Sequence, residues 1–313
     1  MGSNMTDQPA ASFILVSYNQ QDTVAEAAHA VLAQDCSPLQ IILSDDASTD
    51  RTFEILQEVA ASYTGPHRVQ ARQNPQNLGV NLHMSRAIEL AECDFLIWSA
   101  GDDVSVPHRA RAILDAYQKT RAKLIFSDAQ TQRPDGSPGT QAYRKALFYR
   151  SDFTLEQAAT SFALFLGAAV GWHKDLFYKY GGFPPERAHE DLILGFRAAL
   201  ENSTHYIPEK LVTYREDIGV SSHLSGKTST LENRARRTAI LKGQYTVLQQ
   251  RLVDAQTFGL ARDHPISQTV HVLRDWTVMR LSYYDGNRAI HTRQPIRLAH
   301  ALLSEWLRDF RNR

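Results

Sequence analysis

The sequence has little cysteine, no long apolar run and no net charge. Its two cysteines, Cys36 and Cys93, are too few for a disulfide framework or a cysteine-rich metal site, so we expect two buried free thiols. No stretch approaches the roughly 18 apolar residues of a membrane-spanning helix. The basic start and apolar core of a secretory signal are also missing. These absences predict a cytoplasmic protein that does not cross a membrane.

Glycine-dependent nucleotide motifs are missing as well. No G-x-G-x-x-G follows the first predicted strand, which argues against a dinucleotide-dependent dehydrogenase. Residues 225–228 resemble the end of a P-loop, but the earlier glycine that this motif requires is replaced by Ser221. His189-Glu190 begins like a zinc-protease helix, but Ile193 stands where the second histidine belongs. Three common enzyme classes are therefore disfavoured.

What is present is ordinary globular composition with an uneven distribution of charge. Of 313 residues, 43% are hydrophobic and 22% charged, enough apolar mass for a substantial core. Residues 227–313 contain 15 of the 34 Lys and Arg but only 7 of the 34 Asp and Glu, which leaves 19 against 27 for residues 1–226. The chain thus has an acidic front and a basic tail, and we expect the two parts to have different roles.

Short apolar runs alternate with helical patterns between residues 13 and 127. Strands separated by helices of this length imply right-handed crossovers and a mostly parallel sheet flanked by helices, an α/β fold. The predicted strands are 13–18, 40–44, 67–71, 94–98 and 124–126, with helices at 24–32, from Thr52, at 82–90 and around 110–117.

The regular alternation ends at the turn Pro134-Asp135-Gly136. The apolar stretch Phe162–Trp172 is interrupted by glycine and is predicted to be a buried segment. Beyond the turn we predict a helix near 154–163, strands at 206–207 and 211–214, and a C-terminal helical extension from about Thr228.

Polar residues follow three of the predicted strands, at Tyr18-Asn19, Asp45-Asp46 and Asp102-Asp103. In a parallel sheet these strand ends lie along one edge, where ligands bind. Four carboxylates there would repel one another without a cation, and the nearby sequence supplies none. Oxygen-rich ligation suits Mg²⁺ or Mn²⁺, which also bind diphosphate oxygens. The alternatives are a helix start capped by Ser48 or Asp50, and a solvated turn after Gly101.

These motifs occur in the order of a known family. The chain resembles the inverting family-2 glycosyltransferases with the GT-A fold, the bacterial nucleotide-sugar transferases of the polysaccharide and O-antigen type. Each motif is weak alone, but six in the right order between residues 13 and 222 are specific. The matching segments are Leu15–Asn19, Asp45–Asp50, Asn74–Gly79, Ala100–Asp103, Gly181–Phe183 with His189–Asp191, and Tyr206–Arg215.

The resemblance implies transfer of a sugar from a UDP- or dTDP-linked donor to a hydroxyl of a glycan or lipid-linked glycan. Asp103, with Asp102, would ligate the Mn²⁺ or Mg²⁺ that neutralises the departing diphosphate. Asp191 would be the general base, with Glu190 as the alternative. The donor-binding residues it implies are Ser17, Tyr18, Asn19, Asp45, Asp46, Asn77, Gly79 and Asp102.

Some alternatives stay open at this stage. Glu190 and Asp191 could simply be a helix-start pair favoured by the macrodipole. The family often has a histidine where this chain has Asp217, and His223 lies nearby. A nucleotidyltransferase, or a non-catalytic nucleotide-sugar-binding module of the same fold, would share much of the pattern.

The predicted organisation has one catalytic domain and a tail. Residues 1–9 are a tag and start, 10–128 the nucleotide-sugar-binding half, 129–226 the acceptor-binding half of the same domain, and 227–313 the basic helical region. The tail either packs on the catalytic domain with solvated arginines, or presents a surface to an anionic partner at the inner membrane face. Its aromatic residues fit membrane contact, a homo-oligomer or a core equally well, and no nucleic-acid partner is expected.

Overall fold

A computed structural model describes residues 9–36, 38–139, 150–186, 188–216, 230–285 and 295–311. Asp217, His223, the P-loop-like segment 225–228 and the boundary predicted after residue 226 lie outside the described residues.

The described residues form an eight-stranded sheet with helices on both faces. Its order is β3-β2-β1-β4-β7-β6-β8-β5. The strands are β1 Ser12–Ser17, β2 Gln40–Asp45, β3 Arg68–Gln73, β4 Phe95–Ala100, β5 Val104–Ser105, β6 Leu124–Gln132, β7 Val170–His173 and β8 Thr204–Arg215. The helices are α1 Val24–Leu32, α2 Thr52–Ser62, α3 Val80–Glu89, α4 Arg109–Thr120, α5 Leu155–Thr160, α6 Asp175–Tyr178, α7 Glu190–Leu200, α8 Thr230–Phe258, α9 Pro265–Asp285 and α10 Pro295–Arg311.

The first four predicted strands form the parallel half of the sheet. β1 pairs in parallel with β2 and β4, and β2 pairs with β3. Alternate side chains enter different cores: Ile14 packs with Trp98 on one face, whereas Phe13 and Leu15 pack on the other beneath α1, α2 and α4. Burial on both faces explains why these strands appear as continuous apolar runs. The predicted α/β fold with a mostly parallel sheet is confirmed.

One strand was missed within the stretch 162–172. Its end forms β7, which is antiparallel to both β4 and β6 and joins the two halves of the sheet. A Cβ on Gly171 would lie 2.9 Å from Ile113 and 3.0 Å from Phe95, so only glycine lets the strand pass here. The glycine that made the stretch look irregular is therefore what permits the strand.

The predicted strands 206–207 and 211–214 are one continuous strand, β8. It pairs in parallel with β6, and the register shifts on either side of Asp128. The residues between the two predicted pieces include Pro208, which is exposed at this irregularity. β6 itself runs through residue 128, so the two predicted halves of the catalytic domain share one sheet.

The predicted C-terminal helices are present, and α8 packs against α7. Val247 and Leu248 of α8 are fully buried in the main core. Arg197 of α7 and Asp254 of α8 form a fully buried ion pair with a 2.9 Å contact. Arg251 is also fully buried, so the tail's arginines are not all a solvated face. No helix in the described part of the chain is long and apolar enough to span a membrane.

The two cysteines are free, as expected, but only half-buried. Cys36 follows α1 in a loop, and Cys93 lies in the turn before β4, where its Sγ donates to Pro9 O. Burial is nevertheless sufficient to raise the pKa of Cys36 to about 11. The expectation of fully buried thiols was wrong because both lie where the chain turns at the surface.

Candidate active site

Two loops at the carboxyl edge of the parallel strands are joined by side-chain hydrogen bonds. The backbone N–H of Asn19, after β1, donates to Ser48 Oγ at 2.8 Å, and Asn19 Oδ1 accepts from Thr49 N at 2.8 Å. Asn19 and Ala47 have φ values of 51° and 59°, a left-handed conformation that costs free energy and clusters at functional sites. Half-buried Tyr18 directly precedes Asn19 in the loop after β1. The structure thus brings together the loops that carry most of the predicted donor-binding residues.

Asp45 and Asp46 are buried at the end of β2 but are well satisfied by hydrogen bonds. Asp45 accepts from Ser17 Oγ at 3.4 Å, Ser48 N at 2.8 Å and Gln73 Nε2 at 2.9 Å. These donors stabilise the carboxylate without a metal ion. The expectation that four clustered carboxylates need a cation is therefore wrong for this pair, because donors from β3 and the adjoining loops compensate its charge.

Asp46 anchors the segment that follows β3. It accepts from Asn74 Nδ2 at 2.7 Å, Leu78 N at 3.0 Å and Gly79 N at 2.9 Å. Gly79 has φ 76° just before α3, and its N–H also donates to Asn77 Oδ1 at 3.0 Å. Both Asn77 and Gly79 are exposed, so this loop edge is open to a ligand.

Sequence reasoning missed a buried polar group behind this edge. His83 Nε2 lies 2.7 Å from Ser44 Oγ, and Arg72 Nη1 donates to the same oxygen at 3.0 Å. Arg72 also donates to Asn74 Oδ1. Burial lowers the pKa of His83 to about 4, although the charge of Asp46 opposes this. Arg72 lies just past the predicted end of the weak third strand, which gave no sign of a site.

Asp102 and Asp103 form a separate buried acidic pair after β4. Burial raises the pKa of both carboxyls, and Asp102 raises that of Asp103 further. Among the described residues no group of three or more His, Cys, Asp or Glu side chains forms a ready metal cage. The acidic groups of β2 and β4 therefore act as two pairs and not as one cluster of four.

Two arginines lie beside this pair, contrary to the expectation that no cation is close. Arg215 at the end of β8 donates its backbone N–H to Asp103 Oδ1 at 3.2 Å and its Nη1 to Asp102 O at 3.2 Å. Arg109 is fully buried at the start of α4, and its positive charge opposes the rise in the pKa of Asp103. Arg109 was overlooked because a helix-start arginine is usually exposed.

Glu190 and Asp191 occupy the first turn of α7, where the helix dipole favours negative charge. Both are partly exposed, and Asp191 Oδ1 accepts from Leu192 N at 2.8 Å. Burial raises the pKa of Glu190 to about 7, with a further contribution from the charge of Asp191. Burial also raises the pKa of Asp191 to about 6, while the charge of Arg251 opposes the rise. A carboxyl with a pKa near neutrality is suited to proton transfer.

The short turn Gly167–Ala169 contacts both Arg109 and the Glu190–Asp191 pair. Arg109 Nη2 donates to Ala168 O at 2.8 Å. A Cβ on Gly167 would lie 3.2 Å from Glu190 Oε1 and 3.7 Å from Asp191 Cβ. The turn therefore lies against the Glu190–Asp191 pair and is held by Arg109, the arginine whose charge acts on Asp103.

Comparison with known proteins agrees with this geometry. The chain is 32% identical over 117 residues to the putative glycosyltransferase EpsE of Bacillus subtilis, covering 37% of this chain and 41% of EpsE. It spans about half the length of the curated relatives it matches.

Two solved structures share the fold at low sequence identity. The structure of S. aureus TarS 1–349 with UDP-GlcNAc gives a TM-score of 0.57 at 16% identity, covering 96% of this chain and 88% of that one. The mannosyltransferase PcManGT of Pyrobaculum calidifontis, with GDP-Man and Mn²⁺, gives 0.53 at 16% identity, covering 95% and 79%. The GT-A fold implied by the sequence motifs is thereby confirmed.

The family model described as Glycosyl transferase family 2 matches residues 12–176, which include both acidic strand ends and the turn at Gly167. The strand order and the acidic ends of β2 and β4 agree with this match. The chain belongs to glycosyl transferase family 2.

Proposed function

We propose that this chain is a metal-dependent, inverting glycosyltransferase that moves a sugar from a UDP- or dTDP-linked donor to an acceptor hydroxyl. The observation that carries the proposal is the turn Gly167–Ala169, which lies against the Glu190–Asp191 pair and is held by Arg109, whose charge acts on Asp103. The Asp102–Asp103 pair suits a diphosphate with its metal ion, and the Glu190–Asp191 pair suits removal of a proton. An inverting displacement requires these two functions on opposite sides of the reacting sugar carbon.

The donor nucleotide is assigned to the loops after β1, β2 and β3. Tyr18, Asn77 and Gly79 are accessible there, whereas buried Asp45 and Asp46 hold the loops in place through their hydrogen bonds. Ser17, Asn19 and Asp102 complete the proposed donor-binding set. Because this edge is built before a ligand arrives, little ordering free energy would be lost on binding.

Asp102 and Asp103 fit a divalent cation. Their oxygens are the ligands that Mg²⁺ and Mn²⁺ prefer, and one or two carboxylates plus substrate phosphates are a common set for Mg²⁺. Burial of two adjacent carboxyls leaves negative charge that Arg109 and Arg215 offset only in part. A bound cation would supply the charge that stabilises the leaving diphosphate.

Asp191 is the proposed base. It would accept the proton of the acceptor hydroxyl as that oxygen attacks the anomeric carbon and the bond to the diphosphate breaks. Glu190, whose pKa is raised to about 7, is more often protonated at neutral pH and is therefore the weaker candidate.

The acceptor is proposed to be a glycan or lipid-linked glycan used in cell-surface polysaccharide synthesis, reached at the inner face of the membrane. Support comes from α10, where three large apolar side chains share one exposed face: Leu303 is 52%, Trp306 49% and Leu307 40% exposed. The other face carries Glu305, fully buried and bound by Arg237 and Arg280. The exposed side chain of Arg308 follows Leu307 directly. An apolar face with such a basic neighbour fits an anionic lipid surface, with a second copy of the chain as the alternative occupant.

The two rival functions lack such support. A nucleotidyltransferase would use a glycine-rich basic loop after the first strand, and the loop after β1 is Tyr18–Asp22. A non-catalytic module would have no need for a carboxyl tuned towards neutrality beside a preformed donor edge.

The proposed function is tested by screening UDP, dTDP and GDP, each with and without Mn²⁺, for a rise in unfolding temperature. Ligands that bind the native state raise it, and the proposal expects the largest rise for UDP or dTDP with the metal. The matching nucleotide-sugar should then be turned over slowly by hydrolysis. No stabilisation by any nucleotide, or binding without turnover of any donor, would contradict the enzyme assignment.

A further inference from the structure

Three arginines of the C-terminal helices contact a single carboxylate, that of Glu305 on α10. Arg237 of α8 donates its Nε and Nη2 to the two carboxylate oxygens at 3.0 and 2.9 Å, and Arg280 of α9 donates its Nε to Oε1 at 2.5 Å. The Nε of Arg308, further along α10, lies 4.0 Å from Oε2. We call Arg237, Arg280 and Arg308 the arginine cluster. It brings the last three helices together at one carboxylate.

The positive charge of the arginine cluster exceeds the negative charge that it surrounds. Glu305 is fully buried and also accepts from Tyr284 Oη at 2.7 Å. Although burial acts in the opposite direction, the hydrogen bonds from Arg237 and Tyr284 lower the pKa of Glu305 to about 2, so the carboxylate is ionised at neutral pH. No second carboxylate of the described residues forms an ion pair with any of the three guanidiniums. One negative charge therefore faces three positive charges.

The arginine cluster also has hydrogen-bond donors to spare. Arg280 uses only its Nε, and within the described part of the chain its two Nη groups have no acceptor. The side chain of Arg308 is 53% exposed, and those of Arg237 and Arg280 are partly exposed. Guanidinium groups match the oxygens of a phosphate in geometry and charge. The cluster thus has the charge and the donors to bind a phosphate group.

The arginine cluster is separate from the candidate active site. Its hydrogen bonds and ion pairs, as far as the structure describes them, all join α8, α9 and α10. Val247 is the first residue of α8 in the main core, and Arg237 precedes it by ten residues, which corresponds to about 15 Å along the helix. A phosphate held by the cluster is therefore distinct from the donor diphosphate assigned to Asp102 and Asp103.

An exposed apolar face lies on the same helix as Arg308. Leu303, Trp306 and Leu307 form this face of α10, and Arg308 directly follows Leu307. A free phosphate ion would interact with the arginines alone. A phospholipid presents a phosphate at the level of its headgroup and apolar chains beneath it, so it complements both features of α10. The apolar face therefore favours a phosphate that is carried by a lipid.

We propose that the arginine cluster is a binding site for the phosphate of an anionic phospholipid headgroup, which holds α10 on the membrane with its apolar face against the acyl chains. The inference rests on the membrane attachment advanced under the proposed function and deepens it, because it names the membrane component and the side chains that bind it. It also gives the excess of positive charge at Glu305 a role.

The experiment measures sedimentation of the full chain with phosphatidylcholine vesicles that contain phosphatidylglycerol, for the parent, Arg308→Gln and Arg262→Gln. One basic residue at an anionic membrane surface contributes roughly five-fold to binding, so Arg308→Gln should bind at least five-fold more weakly. Arg262→Gln removes the same charge from an exposed position between α8 and α9 and is the matched control, which should bind like the parent. Equal losses in the two variants would mean diffuse attraction to the basic tail and would overturn the inference.

Arg280→Gln tests the less exposed part of the arginine cluster. Arg237 and Tyr284 still bind Glu305 in this variant, and vesicle binding should fall as it does in Arg308→Gln. Should Arg280→Gln fail to fold, the exposed Arg308 decides the question, because its substitution removes no close contact. Parental vesicle binding by Arg308→Gln would overturn the inference.

Inorganic phosphate distinguishes the two sources of the same chemical group. If it raises the unfolding temperature of the parent but not of Arg308→Gln, and the parent does not bind vesicles, the site takes a soluble phosphate and the lipid assignment is overturned.

Donor turnover by the parent separates this inference from the proposed function. A parent that turns over a nucleotide-sugar but does not bind anionic vesicles would overturn the lipid site alone. A parent that binds these vesicles through Arg308 but turns over no donor would support the lipid site and contradict the enzyme assignment.

Discussion

Gly167 lies directly against Glu190, and a methyl group at this position would fit only if the Glu190 side chain shifted by a few tenths of an ångström. A Cβ at this position would be 3.2 Å from Glu190 Oε1, closer than side-chain contacts normally allow. The next residue, Ala168, is held by Arg109 through its carbonyl oxygen. Because the turn is held in this way, a side chain added at Gly167 would have to be accommodated by movement of Glu190.

We therefore expect Gly167→Ala to displace the carboxyls of α7 without damaging the donor edge. Misplacement by about 1 Å can reduce catalysis roughly 100-fold, so a shift of a few tenths of an ångström should lower the transfer rate several-fold while nucleotide affinity stays at the parent value. Steady-state kinetics and calorimetry check this. Gly136→Ala is the control. Gly136 has a φ of 81°, so this substitution is strained as well, but it lies in the exposed turn after β6. Equal loss in both variants would contradict the steric explanation.

Asp103→Asn should separate metal dependence from folding. Two buried carboxyls side by side destabilise the metal-free protein, so the amide should keep or raise its unfolding temperature. The same variant should lose stimulation of transfer by Mn²⁺ or Mg²⁺. As a contrast, Asp50→Ala should lower the unfolding temperature, because it removes the oxygen that accepts from Thr52 N at 3.0 Å at the start of α2. Parental, metal-stimulated activity in Asp103→Asn would exclude it as a ligand.

His83 should make the fold sensitive to acid. Its folded-state pKa of about 4 lies below the ordinary 6.5, so the unfolded chain binds a proton that the folded chain does not. The stability it contributes is complete above about pH 6.5 and is lost as the pH falls towards 4, by roughly 3 kcal/mol.

His83→Gln retains a donor for Ser44 Oγ and should lose this part of the pH dependence. Urea unfolding of parent and variant at several pH values between 7.5 and 4.5 gives the free energies of unfolding to be compared. His29→Gln, on the exposed side of α1, is the control and should behave like the parent. Identical slopes for the parent and His83→Gln would contradict a neutral buried imidazole.

The sequence predicted the parallel half of the fold because its strands are buried on both faces and separated by amphipathic helices. It also predicted which strand ends carry the polar loops. It could not show that Asp46 is satisfied by Leu78 and Gly79, because such donors are brought in only by tertiary structure. The burial of Arg109 and Arg251 could not be predicted from the sequence either, because each occupies a position in a helical pattern that normally exposes arginine to solvent. Only the packed structure shows that both side chains are fully buried.

The exposed apolar face of α10 should bind anionic vesicles. Leu303→Glu with Leu307→Glu should abolish the binding, and salt should weaken that of the parent, because exposed charge attraction is screened. Sedimentation with phosphatidylglycerol vesicles and with neutral phosphatidylcholine vesicles measures both effects. Leu90→Glu replaces a leucine that is 40% exposed on the catalytic half and is the matched control. If the parent instead does not bind lipid and the α10 substitutions dissociate a homo-oligomer, the face joins two copies of the chain.

The proton-accepting role of Asp191 is the central claim, and Asp191→Asn tests it most directly. Nucleotide affinity is measured by calorimetry and transfer rate in parallel, with Glu190→Gln as the neighbouring control. The account expects Asp191→Asn to bind donor nucleotide like the parent and to transfer sugar about 10²- to 10⁴-fold more slowly, the usual cost of losing a general base. Glu190→Gln should lose less. Transfer by Asp191→Asn at the parent rate, or loss of its nucleotide affinity, would contradict the account.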